Sequence, residues 1–351
     1  MTPFERVDAA LEFQEPDRVP FFLLLSMHGA KELGLSIQTY FSKPEYVIKG
    51  QLRMQAKYQH DCLYPFFYAP VEVEAWGGEV LYSENGPPNS GQPIIRSHDD
   101  IAVLTLPRVE DCPSLVKVLE AIRGLKQKVG NRIPIIGVVM SPFSLPVMQM
   151  GFESYLQLLY EHPEKFAKLM KINEAFCIQW ANAQLAAGAT AICYFDPVSS
   201  PTIIPRKMYL DTGYPVTKRT LQAIEGPTAT HMASGRCLPI IDDILTTGTG
   251  MICASGEENL ADIKNAVAGK LTIIGNLNGV EMRRWSPGEA ENEVRQAIAK
   301  AGAGGGFILA DNHGEIPFQV PEETLLSISE AVHKWGRYPL KQNLSEIENR
   351  T

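Results

Sequence analysis

SPGEAENEVRQAIAKAGAGGGFILAD (286–311) decides the fold. It opens on a Ser-Pro start signal, carries apolar positions at helical spacing, and halts at a run of glycines. A short apolar run ending in an acid follows at once. The glycines precede a strand, so they stop a helix and do not cradle a phosphate. The helix-like GEENLADIKNAVAGK leads into KLTIIGNL (270–277) in the same way, and PEETLLSISEAVHKWG reads as a further helix.

Short apolar runs recur along the whole chain. They are RVPFFLLL (18–25), CLYPFFYA (62–69), RIPIIGVVM (132–140), TAICYFD (190–196), PTATHMA (227–233), GMICAS (250–255), KLTIIGNL (270–277) and GGFILAD (305–311). None shows strict apolar–polar alternation, which is the signature of parallel strands covered on both faces. Strands alternating with helices give βαβ units, and eight of them predict closure into a (β/α)8 TIM barrel. An open doubly wound sheet is the alternative, but no GxGxxG opens a helix after the first run. The reading is one domain over 1–351, with an N-terminal helical extension and an early inserted loop or hairpin at ENGPPNSGQP (84–93).

Composition narrows the function class. The chain has 351 residues, 45% hydrophobic and 21% charged, so it can bury a large core without staples. A net charge of −8 with no basic stripe argues against nucleic acid as a partner. The six cysteines are scattered with no CxxC, the habit of a reducing compartment. No signal-peptide core and no membrane-length apolar run occurs, so a cytoplasmic protein with no membrane partner is expected.

Barrel enzymes draw their reacting groups from strand C-termini and the loops beyond. Those ends carry His28, then Tyr68 with Glu72 and Glu74, then Ser141, Asp196 and His231. Cys253 and Ser255, Asn276 and Asn278, and Asp311, Asn312, His313 and Glu315 complete the set. Several admit a plainer reading. Asp196 before Pro197 fits a turn or cap, Glu72 and Glu74 fit the solvated face of a short strand, Asn276 or Asn278 fits a tight turn, and Cys253 fits core filler. His231 and His313 differ, since each follows an apolar strand directly. DNHGEIP (311–317) also packs two acids, an amide and a histidine into five residues, which packing alone does not explain. HExxH, P-loop and GxSxG patterns are absent.

EPDRVP, PVEVEAWGGEV (70–80), YFDPVSSPTIIP (194–205), THMASG with PIIDDI, IGNLNG and GGFILADNHGEIP resemble, in order and over about residues 4–340, the uroporphyrinogen decarboxylase superfamily. The nearest branch looks like its corrinoid-dependent methyltransferases. The resemblance implies a (β/α)8 barrel, as the strand count does. Decarboxylases of the family hold their substrate's carboxylates with arginines after the first strand, whereas PFFLLLSMHGAKEL (20–33) has none. The branch that methylates coenzyme M activates a thiol on zinc held by His-x-Cys and a further Cys. Here those positions read His231, Ala233 and His313 or a neighbour, which disfavours a thiol acceptor.

The resemblance therefore implies an O-demethylase component, moving a methyl group from a methoxylated aromatic to the Co(I) corrinoid (cobalamin) of a separate corrinoid protein. A methyl-corrinoid:thiol methyltransferase and a uroporphyrinogen decarboxylase paralogue are the alternatives. Two designs for leaving-group activation stay open. In one, His231 and His313, with Asp196 or Glu72, hold zinc against the ether oxygen. In the other, a histidine or Tyr68 is the general acid, oriented by Asp311 or Glu315. Phe67, Glu72, Asn276, Asp311 and Glu315 are the expected substrate contacts, with Phe21, Phe22, Phe66, Phe67, Tyr68 and Trp76 as candidates for an aromatic wall. The oligomeric state, a homodimer included, is left open.

Overall fold

The computed structural model describes residues 1–340, and the last eleven residues of the single-domain assignment, 341–351, lie outside the described part. The diagnostic stretch folds as its residues dictate. Ser286 caps the Pro287–Ala301 helix in a capping box, its Oγ accepting the Glu289 N–H while the Glu289 carboxylate accepts the Ser286 N–H at 2.7 Å. Gly304, Gly305 and Gly306 then turn the chain with φ of 73°, 68° and 62°. A Cβ on Gly305 would lie 2.4 Å from the Gln14 carbonyl oxygen, so glycine also lets this turn press against the N-terminal segment.

The strands are β1 (Val80–Leu81), β2 (Asn89–Ser90), β3 (Ile136–Met140), β4 (Ala191–Phe195), β5 (Thr228–His231), β6 (Met251–Cys253), β7 (Thr272–Ile274) and β8 (Phe307–Ile308). β1 and β2 form an antiparallel hairpin at the expected insertion. β3 to β8 form one parallel sheet in sequential order. Its register aligns Phe195 with His231, His231 with Cys253, Cys253 with Ile274, and Ile274 with Ile308. These side chains therefore share one face, the inner one.

The first two apolar runs behave differently from the other six. Segments 18–25 and 62–69 are extended but join the sheet only through single parallel bridges, Phe21 to Leu309 and Leu63 to Ile135. Phe22 N–H donates to the Leu309 carbonyl at 2.8 Å, Asp61 N–H to the Phe21 carbonyl at 2.8 Å, and Ile136 N–H to the Leu63 carbonyl at 2.9 Å. Backbone hydrogen bonds thus run from β8 through both segments to β3 and complete the barrel circuit. Pro20 and Pro65 each lack an N–H, which limits a regular ladder in these runs.

The base of the barrel is pinned by charge. Asp61, fully buried, accepts from Arg6 Nη1 at 2.7 Å, Arg18 Nη1 at 2.6 Å and the Phe21 N–H at 2.9 Å. Saturation of this kind offsets the cost of burying a carboxylate. The EPDRVP stretch supplies Asp17 and Arg18 to that cluster, while the Pro3–Leu11 helix carries Arg6. Residues 69–76 contradict the expectation of a solvated strand face at Glu72 and Glu74, because they form a 3-10 helix. Among the described residues no helix is long and apolar enough to cross a membrane.

Candidate functional site

His231 ends β5 and is fully buried at the mouth end of the sheet. Its Nδ1 accepts the N–H of Ala233 at 2.9 Å. That bond uses the Nδ1 lone pair, so in the neutral ring the proton sits on Nε2. Burial, and secondarily the charge of His313, holds the ring pKa down to about 3, so the ring is neutral at physiological pH. Nε2 is buried and has no hydrogen-bond partner among the described residues. Phe195 stacks on the imidazole at 4.5 Å and 10°, and Phe66 lies parallel beyond it at 6.5 Å and 11°.

The segment after β8 crosses this stack. One oxygen of Asp311 accepts the N–H groups of His313 and Gly314 at 2.9 Å each, which sets the turn. Gly314 has φ of +80°, and a Cβ there would lie 2.0 Å from Phe195 Cζ and 2.9 Å from His231 Nε2. Only glycine lets the backbone pass so close. Tyr64 donates to the Gly314 carbonyl at 2.7 Å, Ser26 donates to Glu315, and Ile316 N–H donates to the Leu24 carbonyl at 3.0 Å. Gln319 also donates to the Asn85 carbonyl, tying the hairpin loop to the same segment.

The carboxyls here are perturbed. The second oxygen of Asp311 is buried without a partner, and burial pushes the group up to about 6 against the pull of its backbone hydrogen bonds. Glu315 is pushed up to about 8 by burial and then by the charge of Asp311, so it keeps its proton at neutral pH. His313 is half-buried, its Nδ1 against Asn312 Oδ1, and burial lowers its pKa. His231, His313, Asp311 and Glu315 are thus brought together, joined by Ser26, Tyr64, Phe66 and Phe195.

Five expected site residues are committed elsewhere. Asp196 is enclosed by hydroxyls: one oxygen takes Ser141 at 2.6 Å and Ser144 at 2.9 Å, the other Ser199 at 2.6 Å and Thr217 at 3.1 Å. Glu72 is buried and accepts the Met140 N–H at 2.8 Å from the 3-10 helix, bracing β3. Tyr68 spends its hydroxyl on Glu74 at 2.8 Å, and burial raises its pKa, which unsuits it as an acid. Its ring and that of Phe67 pack on Phe41, Phe67 stacking at 5.3 Å. Asn276 donates to the Ser255 and Glu258 carbonyls and fixes a loop. Asp196 lies one step past the inward-facing Phe195, and Asn276 lies beside free carbonyls, so both turn away from the mouth.

The zinc design finds no ready ligand set. Among the described residues no three His, Cys, Asp or Glu side chains are grouped to hold a metal ion. His231 offers Nε2 alone, and Cys237, six residues on, directs its thiol to Glu258. The residues present do not fit a structural or catalytic zinc site.

Sequence reasoning did not single out Ser26, Tyr64, Phe195 or Gly314 for the site. Tyr64 and Phe66 stand two apart in CLYPFF and so share a face, a signal that was available. Phe195 was legible only once its pairing with His231 was known. Gly314 carried no signal, since its need arises from two rings distant in sequence.

The family profile described as uroporphyrinogen decarboxylase (URO-D) matches residues 2–335. The uroporphyrinogen decarboxylase of Nitrosospira multiformis is 25% identical over 304 residues, spanning 84% of this chain and 82% of that protein. That of Geotalea daltonii is 26% identical over 250 residues, spanning 68% and 71%. Among solved structures, a methyltransferase from Methanosarcina mazei superposes with a TM-score of 0.86 over 95% of this chain and 99% of its own, at 21% identity. A putative vitamin-B12 independent methionine synthase from Listeria monocytogenes gives 0.52 over 90% and 95%, at 14% identity. At these identities the structural likeness establishes the fold.

Proposed function

The chain belongs to the uroporphyrinogen decarboxylase family, and on that premise we propose that it is a corrinoid-dependent methyltransferase. It moves a methyl group from a methoxylated aromatic to the Co(I) corrinoid carried by a separate protein. The observation that carries this reading is His231 Nε2–H: a fixed, buried donor with no partner, on a ring already stacked in an aromatic column.

The chemistry needs such a donor. In an in-line displacement the methyl carbon–oxygen bond breaks, its electron pair stays on oxygen, and the carbon passes to the partner's cobalt. The protein need not supply a nucleophile, but it must accommodate negative charge growing on the aryl oxygen. A preorganised N–H in a dry site does so at little reorganisation cost. The neutral imidazole binds the oxygen and keeps its proton. Glu315, still protonated at neutral pH, follows Gly314, where an added Cβ would lie 2.9 Å from Nε2, and offers a proton to the departing phenolate. Phe195 and Phe66 give a planar ring its apolar wall.

Decarboxylation of a macrocycle bearing many carboxylates suits this mouth poorly. The stretch after segment 18–25 reads Ser26, Met27, His28 and holds no arginine. A polyanion would meet Asp311 and Glu315 without an arginine beside them.

The test mixes the protein anaerobically with a Co(I) corrinoid protein and guaiacol and follows the methyl-cobalt absorbance. Methyl-cobalt and free catechol in equal amounts are expected. Removal of the methyl group from preformed methyl-cobalt by a thiol, with no transfer from guaiacol, would assign the protein to the acceptor side instead.

A further inference from the structure

Two buried glutamines reach barrel strands from the outer helices, and they differ in what they join. Gln184, on the Pro163–Ala187 helix, accepts the Val138 N–H at 3.0 Å and donates to the Val138 carbonyl at 2.8 Å. Both bonds fall on one residue of β3. Gln51, on the Pro44–Tyr58 helix, accepts the Tyr64 N–H at 2.8 Å and donates to the Leu25 carbonyl at 2.7 Å. Its bonds fall on two different segments. Both side chains are 1% exposed, so the two amides are equally buried.

Gln51 stands where the barrel ladder gives out. Among the described residues one backbone hydrogen bond joins the first two apolar runs, from the Asp61 N–H to the Phe21 carbonyl near the base. Toward the mouth Pro65 has no N–H to give, and the Gln51 amide carries the connection instead. Each of its bonds lies beside a group that holds the segment after β8. Ser26 follows Leu25 and donates to Glu315, while the Tyr64 hydroxyl donates to the Gly314 carbonyl at 2.7 Å.

We infer that Gln51 is a positioning residue for methyl transfer. Its amide sets the spacing of the two proline-interrupted segments and, through Ser26 and Tyr64, the placement of Gly314 and Glu315 against His231. This rests on the methyl-transfer reading above. A displacement of about 1 Å can cost on the order of a hundredfold in rate, so a brace outside the mouth is enough to govern the chemical step. Gln184 makes the same two kinds of bond with both ends on Val138, so its loss costs stability without moving Glu315.

The experiment compares Gln51→Met with Gln184→Met, each giving up two buried hydrogen bonds. Single-turnover transfer from guaiacol to the Co(I) corrinoid protein is followed well below both melting temperatures, over a range of guaiacol concentrations. Both variants should melt below the wild type. Gln51→Met should transfer roughly tenfold to a hundredfold more slowly, with guaiacol affinity changed less than about threefold. Gln184→Met should stay close to the wild-type rate. Gln51→Glu supplies the rescue, and decides the question if Gln51→Met does not fold. When protonated, its O–H donates to Leu25 and its other oxygen accepts from Tyr64. Its rate relative to the wild type should therefore rise as the pH is lowered from about 8 to about 6, since burial favours the neutral carboxyl.

Hydrogen exchange reads the brace apart from the chemistry. The Ile316 amide, bonded to the Leu24 carbonyl at 3.0 Å, should exchange faster relative to the β4 amides in Gln51→Met and not in Gln184→Met. Equal slowing of transfer in the two Met variants, a loss confined to guaiacol affinity, no rescue in Gln51→Glu, or unchanged Ile316 exchange in Gln51→Met overturns the inference. Faster Ile316 exchange in Gln51→Met alone, with no transfer by the wild type, would instead sink the proposed reaction while leaving the brace intact. Transfer by the wild type at a rate that Gln51→Met matches would do the reverse.

Discussion

Asp196 and Asp311 both follow buried parallel strands, and both are 1% exposed. Asp196 receives four hydroxyl donors, two on each oxygen. Asp311 receives two backbone amides on one oxygen and nothing on the other. The first is a saturated knot that ties the loops after β3 and β4 to an outer helix. The second keeps an unused acceptor in the mouth, in the same segment that lies on the unused donor of His231. The two carboxylates are therefore equally buried and differ in how fully they are hydrogen-bonded.

Glu72 complicates that contrast usefully. One of its oxygens is unpaired as well, yet it braces β3 away from the mouth. Its carboxyl is pushed up to about 8 by burial, so at neutral pH it is protonated and the orphan oxygen belongs to a neutral group. An unpaired buried atom is therefore not by itself a mark of the reacting site; Glu72 differs from His231 and Asp311 in its place in the fold.

The contrast breaks most readily at Asp196. Asp196→Ala strips four hydroxyls of their acceptor and should cost about 3 kcal/mol in denaturant unfolding, with methyl transfer close to normal well below the melting point. A large activity loss at unchanged stability would move Asp196 into the chemistry. Gly314→Ala comes next. The added Cβ meets Phe195 and His231 at a backbone angle that disfavours L residues, and should slow transfer by roughly tenfold to a hundredfold and lower the melting temperature as well. A normal rate in that variant would show that the segment does not sit over His231 during turnover.

Glu72→Gln should give the smallest effect, visible as a slope. The folded state holds this proton up to about pH 8, whereas an unfolded glutamate releases it near 4.5. Between those values the folded chain binds more protons, so its stability falls as pH rises. Melting curves across pH 5 to 8 should therefore be flatter for Glu72→Gln than for the wild type. Parallel curves would place the Glu72 proton elsewhere.

Much of the fold was open to reading because it rests on local signals. The Ser286 cap, the glycine stop and the unbroken apolar runs each act within a few residues, and alternating helices and strands leave few topologies. Segments 18–25 and 62–69 were placed correctly around the barrel, yet their pairing is single-bridged, in part for want of the proline N–H groups. The site was less legible. His231, His313, Asp311 and Glu315 converge because strand ends converge, and that much follows from position. Whether Asp196, Tyr68 or Asn276 joins them depends on side-chain parity and on hydroxyls and carbonyls contributed from far along the chain. Ser141 and Thr217 close around Asp196 from other loops and helices, and no local pattern announces that.

The most direct test of the account is the single-turnover rate of methyl transfer from guaiacol to the Co(I) corrinoid protein in His231→Gln beside the wild type. The account predicts a fall of roughly a hundredfold to a thousandfold at an unchanged melting temperature, with methyl-cobalt and catechol still formed in equal amounts. Equal rates in the two proteins would contradict it, and would leave the unpaired Nε2–H of His231 without the role assigned to it.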